Sequence, residues 1–148
     1  MKITIVSLLL FIVAPSFAME SVDFLVKPLL LENLTADFVL VNVWSPYCVP
    51  CGHEVTELNK LIHSSSLPNG RLQILGVPAE GREKEALAFI EHFRPEYKNI
   101  FLEAAFKKQL LKFGSIPFTI LFNKNRTVQQ TWKGTVRMED ILAALPKQ

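Results

Sequence analysis

Two cysteines separated by two residues, Cys48 and Cys51, lie between two segments of opposite character. Before them, Phe38–Trp44 is a continuous β-branched and aromatic run, which is typical of a strand covered on both faces. After them, apolar residues recur at helical spacing with charged residues between: Val55, Leu58, Leu61 and Ile62. The sequence therefore predicts a buried strand, a Cys-x-x-Cys turn and a helix that starts at about Cys48.

The rest of the chain alternates between strand-like and helix-like segments. We predict an edge strand or extended lead-in over 22–31, strands over 71–77, 117–122 and 127–132, and helices over 82–93, 103–113 and 138–145. Such alternation favours parallel strands joined by crossover helices, and the closing hairpin adds antiparallel strands. With 148 residues, the chain is long enough for one α/β domain with a mixed sheet and helices on both faces.

The N-terminal residues have the pattern of a targeting segment. Lys2 supplies a positive charge, residues 3–14 are mostly apolar, and small residues precede a cleavage point after Ala18. This pattern predicts a secretory signal peptide over 1–18, a domain over 19–148, and export to the periplasm or another part of the bacterial envelope. An uncleaved N-terminal membrane anchor is the alternative, although the apolar run is short for a bilayer span.

The charge balance gives no reason to expect a nucleic-acid partner. Removal of residues 1–18 takes away Lys2 and leaves 15 basic residues against 14 acidic ones. A near-neutral chain has no strong electrostatic attraction for phosphate backbones or anionic membranes.

The spacing of the cysteines favours redox chemistry over a structural cross-link. A disulfide across two residues closes a very small loop and gains little stability. At a helix start, unpaired backbone N–H groups and the macrodipole favour a thiolate, so Cys48 is the predicted nucleophile. Cys51, one turn later on the same face, is predicted to resolve the mixed disulfide.

The segment from Val41 to Cys51 resembles the active site of the thioredoxin superfamily. It is most similar to the exported branch that contains TlpA, ResA and the cytochrome c maturation thioredoxins. Asn42 occupies the position of a buried Asp in cytosolic thioredoxins, and Glu54 matches an acidic residue near the dithiol. An extra strand-and-helix segment, about 71–101, precedes Ile116 and Pro117.

This resemblance implies a thioredoxin-like fold and a set of site residues. Cys48, Cys51 and Glu54 would be catalytic, with Glu54 holding or shuttling a proton for Cys51. The Ile116–Pro117 bond would be cis, and four residues would form the substrate platform: Trp44, Tyr47, Ile116 and Pro117. From the residues alone, Glu54 is equally a first-turn acid that complements the helix dipole.

The leading functional hypothesis is an exported reductase of client disulfides, for example in cytochrome c maturation. Pro50 before the second cysteine favours reduction by analogy with the family. Client proteins and a membrane electron-donor thiol protein would be its partners, and we expect a monomer with no cofactor beyond the Cys48–Cys51 disulfide.

Three other functions use the same residues: a dithiol oxidase or isomerase, a Cu(I) metallochaperone, and a non-catalytic binding module. A metal site is not predicted, because a structural zinc site usually needs four Cys or His ligands, the sequence has no second cysteine pair, and His53 is expected to point away from the two sulfurs. His53 follows Cys51 one residue too late for a c-type haem motif.

Overall fold

The computed structural model describes residues 22–67 and 70–146. The predicted signal peptide, residues 1–18, lies outside the described residues. The described part of the chain contains two short 3₁₀ turns, Val22–Leu25 and Leu31–Asn33, followed by these elements: β1 Phe38–Trp44, α1 Val49–Ile62, β2 Leu72–Pro78, α2 Glu83–Phe93, β3 Lys98–Asn99, α3 Ala104–Phe113, β4 Phe118–Phe122, β5 Val128–Lys133 and α4 Met138–Ala144.

The strands form one mixed sheet in the order β3-β2-β1-β4-β5. β2 runs parallel to both β1 and β3, whereas β4 is antiparallel to both β1 and β5. All seven residues of the central strand β1 are buried, as the uninterrupted apolar run predicts. The α/β class and the mixed sheet are therefore confirmed.

Successive side chains of β1 point to opposite faces of the sheet, and each face has its own apolar layer. Val39, Val41 and Val43 pack in one layer with residues of α3 and the N-terminal segment. Leu40 packs in the other layer with residues of α1 and α4. Helices therefore cover both faces, as predicted.

Helix α1 begins one residue later than predicted. Cys48 has extended backbone angles and is the N-cap, and its N–H donates to the Ser45 carbonyl oxygen, 3.1 Å away. Pro50 lies in the first turn, where a missing N–H removes no helical hydrogen bond. The helix buries one side against the sheet through six residues: Cys51, Gly52, Glu54, Val55, Leu58 and Leu61.

The prediction of a strand or extended lead-in over 22–31 is wrong. This segment forms 3₁₀ and other turns instead, because Leu25 and Leu29 recur at helical spacing and both enter the core. The guanidinium of Arg126 donates to the carbonyl oxygens of Leu31, Leu34 and Ala36 at 2.6–2.9 Å. Those bonds satisfy backbone acceptors at the end of this segment and just after it, where no strand partner is available among the described residues.

The predicted extra segment between α1 and α3 folds as β2, α2 and the very short β3. Phe89 of α2 stacks on Trp44 with ring centroids 4.4 Å apart. Asn99 of β3 accepts a hydrogen bond from the Trp44 indole N–H at 3.0 Å. The segment thereby encloses Trp44, which occupies the last position of β1.

Gly76 of β2 makes room for the Trp44–Asn99 hydrogen bond. A Cβ atom at Gly76 would lie 2.0 Å from Asn99 Oδ1 and 3.1 Å from Trp44 Nε1. We expect Gly76→Ala to lower the free energy of unfolding by about 1–3 kcal/mol, the usual effect of overpacking. Urea denaturation with the disulfide intact measures this difference.

Gly114→Ala is the matched control. Its backbone is extended, and an added Cβ would contact Phe118 only at an ordinary 3.8 Å. We expect the free energy of unfolding of Gly114→Ala to stay within about 0.5 kcal/mol of the wild-type value. Equal stability of the two variants would show that Gly76 is not needed for this contact.

Candidate active site

The structure joins Cys48 and Cys51 in a disulfide, with Cα atoms 5.3 Å apart. Cys48 is partly exposed at the N-cap of α1, and Cys51, inside the first turn, is only 1% exposed. The accessible sulfur is therefore Cys48, at the end of the helix where the macrodipole stabilises an anion. The arrangement suits attack through Cys48 and resolution through Cys51.

Glu54 is the next residue on the buried side of α1 after Cys51 and Gly52, and it is 1% exposed. Three groups donate to its carboxylate: Asn42 Nδ2 at 2.7 Å, the Val136 N–H at 3.0 Å and Thr119 Oγ1 at 3.4 Å. Burial raises the pKa of Glu54, and the three hydrogen bonds only partly oppose that effect. Such a carboxyl group can take up and release a proton closer to neutral pH than an exposed glutamate.

The sheet supplies two of these donors. Asn42 of β1 and Thr119 of β4 are direct partners across the antiparallel pair, and Asn42 also donates to Thr119 Oγ1 at 3.1 Å. From the sequence, Asn42 stands out only as a mark of the resemblance, and Thr119 is not predicted. A signal was present, since each is a polar residue in an otherwise apolar strand. The Val136 amide has no such signal.

Trp44 lies behind the dithiol. It is buried in a small cluster with Cys51, Val55 and Phe89, and Cys48 packs against that cluster. Trp44 therefore supports the disulfide from the core side. Its predicted role in shaping a substrate platform stays a prediction.

Tyr47 lies beside Cys48 and is 65% exposed. Its hydroxyl donates to Glu85 of α2, which also accepts from the guanidinium of Arg82. The hydrogen bond from Arg82 is the largest cause that lowers the pKa of Glu85 to about 2, and the bond from Tyr47 adds to that effect. The same bond between Tyr47 and Glu85 raises the pKa of Tyr47. The sequence predicts Tyr47 as a site residue but neither Arg82 nor Glu85, because both lie at the start of a different element, α2.

A groove of about 460 Å³ opens beside Cys48. Tyr47 and Glu80, which follow β1 and β2, line it together with Leu111, Ser115 and Ile116 from the end of α3 and the segment before β4. Because β2 and β4 flank β1 on opposite sides in the sheet, the two sets form opposite sides of the groove. The peptide bond between Ile116 and the buried Pro117 is cis, as the resemblance implies. The structure thus brings Tyr47, Cys48 and Ile116 together at the surface, with Trp44, Cys51 and Glu54 beneath.

Residues 22–67 and 70–146 contain no group of three or more His, Cys, Asp or Glu side chains arranged to hold a metal ion. His53 is exposed on α1. Over the same residues, no helix combines the length and apolar character that crossing a bilayer requires.

Comparison with solved structures identifies the architecture. A thioredoxin-related protein from Neisseria meningitidis serogroup B matches with a TM-score of 0.65 at 22% identity, over 77% of this chain and 86% of its own. The thioredoxin domain of a thiol–disulfide oxidoreductase from Bacteroides vulgatus matches with a TM-score of 0.63 at 22% identity, over 76% and 79%. This chain has a thioredoxin-like fold.

A secreted disulfide oxidoreductase of Mycobacterium tuberculosis shares the thioredoxin-like fold at lower identity. It matches with a TM-score of 0.62 at 13% identity, over 77% of this chain and 86% of its own. No protein-family model matches the sequence. The resemblance inferred from the active-site segment is therefore confirmed at the level of fold.

We expect ionisation of Glu54 to oppose folding of the thioredoxin-like domain. Its pKa is raised above the ordinary 4.5, so the folded protein keeps a proton that the unfolded chain has released. The free energy of unfolding should therefore fall as pH rises from about 4.5 through the raised pKa, and then level off. Glu54→Gln should lose this decline, as measured by urea denaturation of the oxidised protein at a series of pH values.

Glu57, one turn further along α1, is the matched control. Its pKa is lowered, first by the hydrogen bond from Lys60 and then by that from the Met138 N–H. Its stabilisation is present above pH 4.5 and is lost as pH falls through the lowered pKa. Glu57→Gln should reduce the loss of unfolding free energy below pH 4.5 and leave the decline above pH 4.5 unchanged. A decline that persisted above pH 4.5 in Glu54→Gln would contradict the assignment.

Proposed function

We propose that this chain is an exported thiol–disulfide oxidoreductase that reduces disulfides of client proteins. The observation that carries the proposal is the position of the Cys48–Cys51 pair. One sulfur lies at a surface groove and a helix N-terminus, and the other is buried one turn from a buried carboxyl group. The oxidoreductase names of proteins with the same fold support it further.

The reaction begins with the reduced dithiol. The Cys48 thiolate attacks one sulfur of the client disulfide, forms a mixed disulfide and releases the other client sulfur as a thiolate. Cys51 then loses its proton and attacks the Cys48 sulfur, which expels the second client thiolate. Two electrons pass from the dithiol to the client, and the Cys48–Cys51 disulfide forms.

Glu54 is proposed to receive the Cys51 proton in the second step. It follows Cys51 by three residues on the same side of α1, and burial raises its pKa toward the range useful for proton transfer. Asn42, Thr119 and the Val136 amide fix its carboxylate in place. These three groups therefore act by positioning the carboxylate of Glu54.

Export and the direction of electron flow rest on the sequence. The signal-like residues 1–18 support export, and Pro50 between the cysteines supports a reductase by analogy with the family. A membrane electron-donor thiol protein would then regenerate the dithiol. Disulfides of cytochrome c precursors are one client class consistent with the resemblance.

The reduction potential of the Cys48–Cys51 pair tests the direction. Equilibration of the purified protein with glutathione or dithiothreitol buffers should give a value near that of thioredoxin, roughly −270 mV. A value close to that of the strong periplasmic oxidant, about −120 mV, would make the protein a disulfide donor instead.

Cys51→Ala should trap clients as mixed disulfides on Cys48, because the resolving thiol is absent. Non-reducing electrophoresis of the exported fraction of the source cell measures the trapped species, and Cys48→Ala is the control that should trap none. Failure of Cys51→Ala to capture any client would argue against exchange as the function.

Glu54→Gln should slow the second step by about a hundredfold, the lower end of what a positioned acid–base group contributes. In the wild type, the rate of resolution should rise with pH through the raised pKa of Glu54, since only the carboxylate accepts a proton. Quenched-flow kinetics of mixed-disulfide decay measure both effects. A wild-type pH profile retained in Glu54→Gln would remove Glu54 from the mechanism.

A further inference from the structure

The two sides of the groove beside Cys48 differ in chemistry. Leu111 and Ile116 make one side apolar, whereas Tyr47 and Glu80 lie on the other. Among the described residues that line the groove, Glu80 alone carries a charge. Glu80 is therefore the charged group that a segment bound in the groove would meet directly.

The turn between β2 and α2 holds the backbone of Glu80 against the active-site loop. On one side, the Ala79 N–H donates to the Trp44 carbonyl oxygen at 2.9 Å. On the other, Gly81 has a φ of +77°, and a Cβ atom there would lie 2.8 Å from Pro46 Cγ. Because Ala79 is hydrogen-bonded to Trp44 and Gly81 packs closely on Pro46, the backbone of Glu80 is held beside the segment that leads to Cys48.

The carboxylate of Glu80 is available to a ligand. Its side chain is exposed and makes no hydrogen bond or ion pair with another described residue. Nearby Glu85, in contrast, accepts from Arg82 and Tyr47. The hydrogen bond to Glu85 is the main cause of the raised pKa of Tyr47, and the charge of Glu80 adds a smaller effect in the same direction.

Positive charges border the apolar side of the groove without lining it. Lys112 directly follows Leu111 on α3, and Lys133 Cε would lie 4.0 Å from a Cβ atom at Gly114, which lines the groove. A client cation would therefore be repelled from that end and attracted to the side formed by Tyr47 and Glu80.

We propose that Glu80 selects client segments in which a lysine or arginine adjoins the cysteine that Cys48 attacks. The inference rests on the proposed exchange function and adds a substrate class to it. The client cation pairs with Glu80, while an apolar client side chain packs on Leu111 and Ile116. An exposed ion pair is modest and is screened by salt, so Glu80 biases the choice of client and leaves the exchange step itself unchanged.

The test uses the purified protein, reduced with dithiothreitol and freed of it, in single-turnover reactions. The substrates are disulfide-linked peptide dimers that differ only in the residue beside cysteine, which is Lys, Gln or Glu. In each reaction the Cys48–Cys51 dithiol gives two electrons to the peptide disulfide, which yields two peptide thiols. Peptide thiol release, measured by mass spectrometry after acid quench, gives the rate constants.

We expect the wild type to prefer the Lys peptide over the Glu peptide. Glu80→Gln should reduce that preference about three- to fivefold, as expected for one exposed ion pair. Glu80→Lys should invert it, and about 1 M salt, where the screening length is about 3 Å, should abolish the difference between wild type and Glu80→Gln. Comparison of the variants cancels any intrinsic difference in reactivity between the peptides.

Glu83→Gln is the matched control, because Glu83 is exposed at the start of α2 and does not line the groove. It should leave the wild-type preference unchanged. Suppose that wild type and Glu80→Gln show the same preference for the Lys peptide over the Glu peptide, and that both reduce the Gln peptide normally. That result would overturn the role of Glu80 but leave the proposed exchange function standing. If the wild type reduced none of the three peptides, the proposed function would be overturned, and this inference with it.

Discussion

The carboxylate of Glu54 ties together the main elements of the domain. It projects from α1, and its three donors come from β1, β4 and the loop before α4. A buried carboxylate is tolerated only when such donors replace water, so the elements that supply them must stay in register. Asn42 can reach both Glu54 and Thr119 only because the two strands place it opposite Thr119. The same buried carboxyl group therefore depends on the register of the sheet and on the positions of α1 and α4.

In the proposed mechanism, Glu54 places stability and activity in conflict. The burial that raises the pKa of Glu54 makes its ionisation unfavourable for folding, and the same raised pKa would let the carboxylate accept the proton of Cys51 one turn away. An apolar residue at this position would avoid the desolvation but could not take up a proton. Local conflicts of this kind are expected where a protein performs chemistry.

The sequence predicts the central part of this arrangement well. The apolar run of β1, the periodicity of α1 and the cysteine spacing are strong local patterns, and they locate the dithiol correctly. Features that depend on tertiary contacts escape such patterns. β3 is two residues long, too short to show a period, and the helical spacing of Leu25 and Leu29 is obscured by Pro28. The approach of Glu80 to Cys48 depends on the turn at Gly81, whose packing against Pro46 appears only in three dimensions.

The sheet ends in strands that discourage pairing with other chains. On one side, the apolar β2 is covered by β3, which is very short and carries the exposed Lys98. On the other side, the edge strand β5 exposes Gln129, Gln130 and Lys133. Short edges and lysines oppose the addition of a further strand, which is the usual route to aggregation. If the domain exchanges disulfides with extended client chains as proposed, these edges disfavour pairing of client backbones with the sheet and so favour contact at the groove beside Cys48.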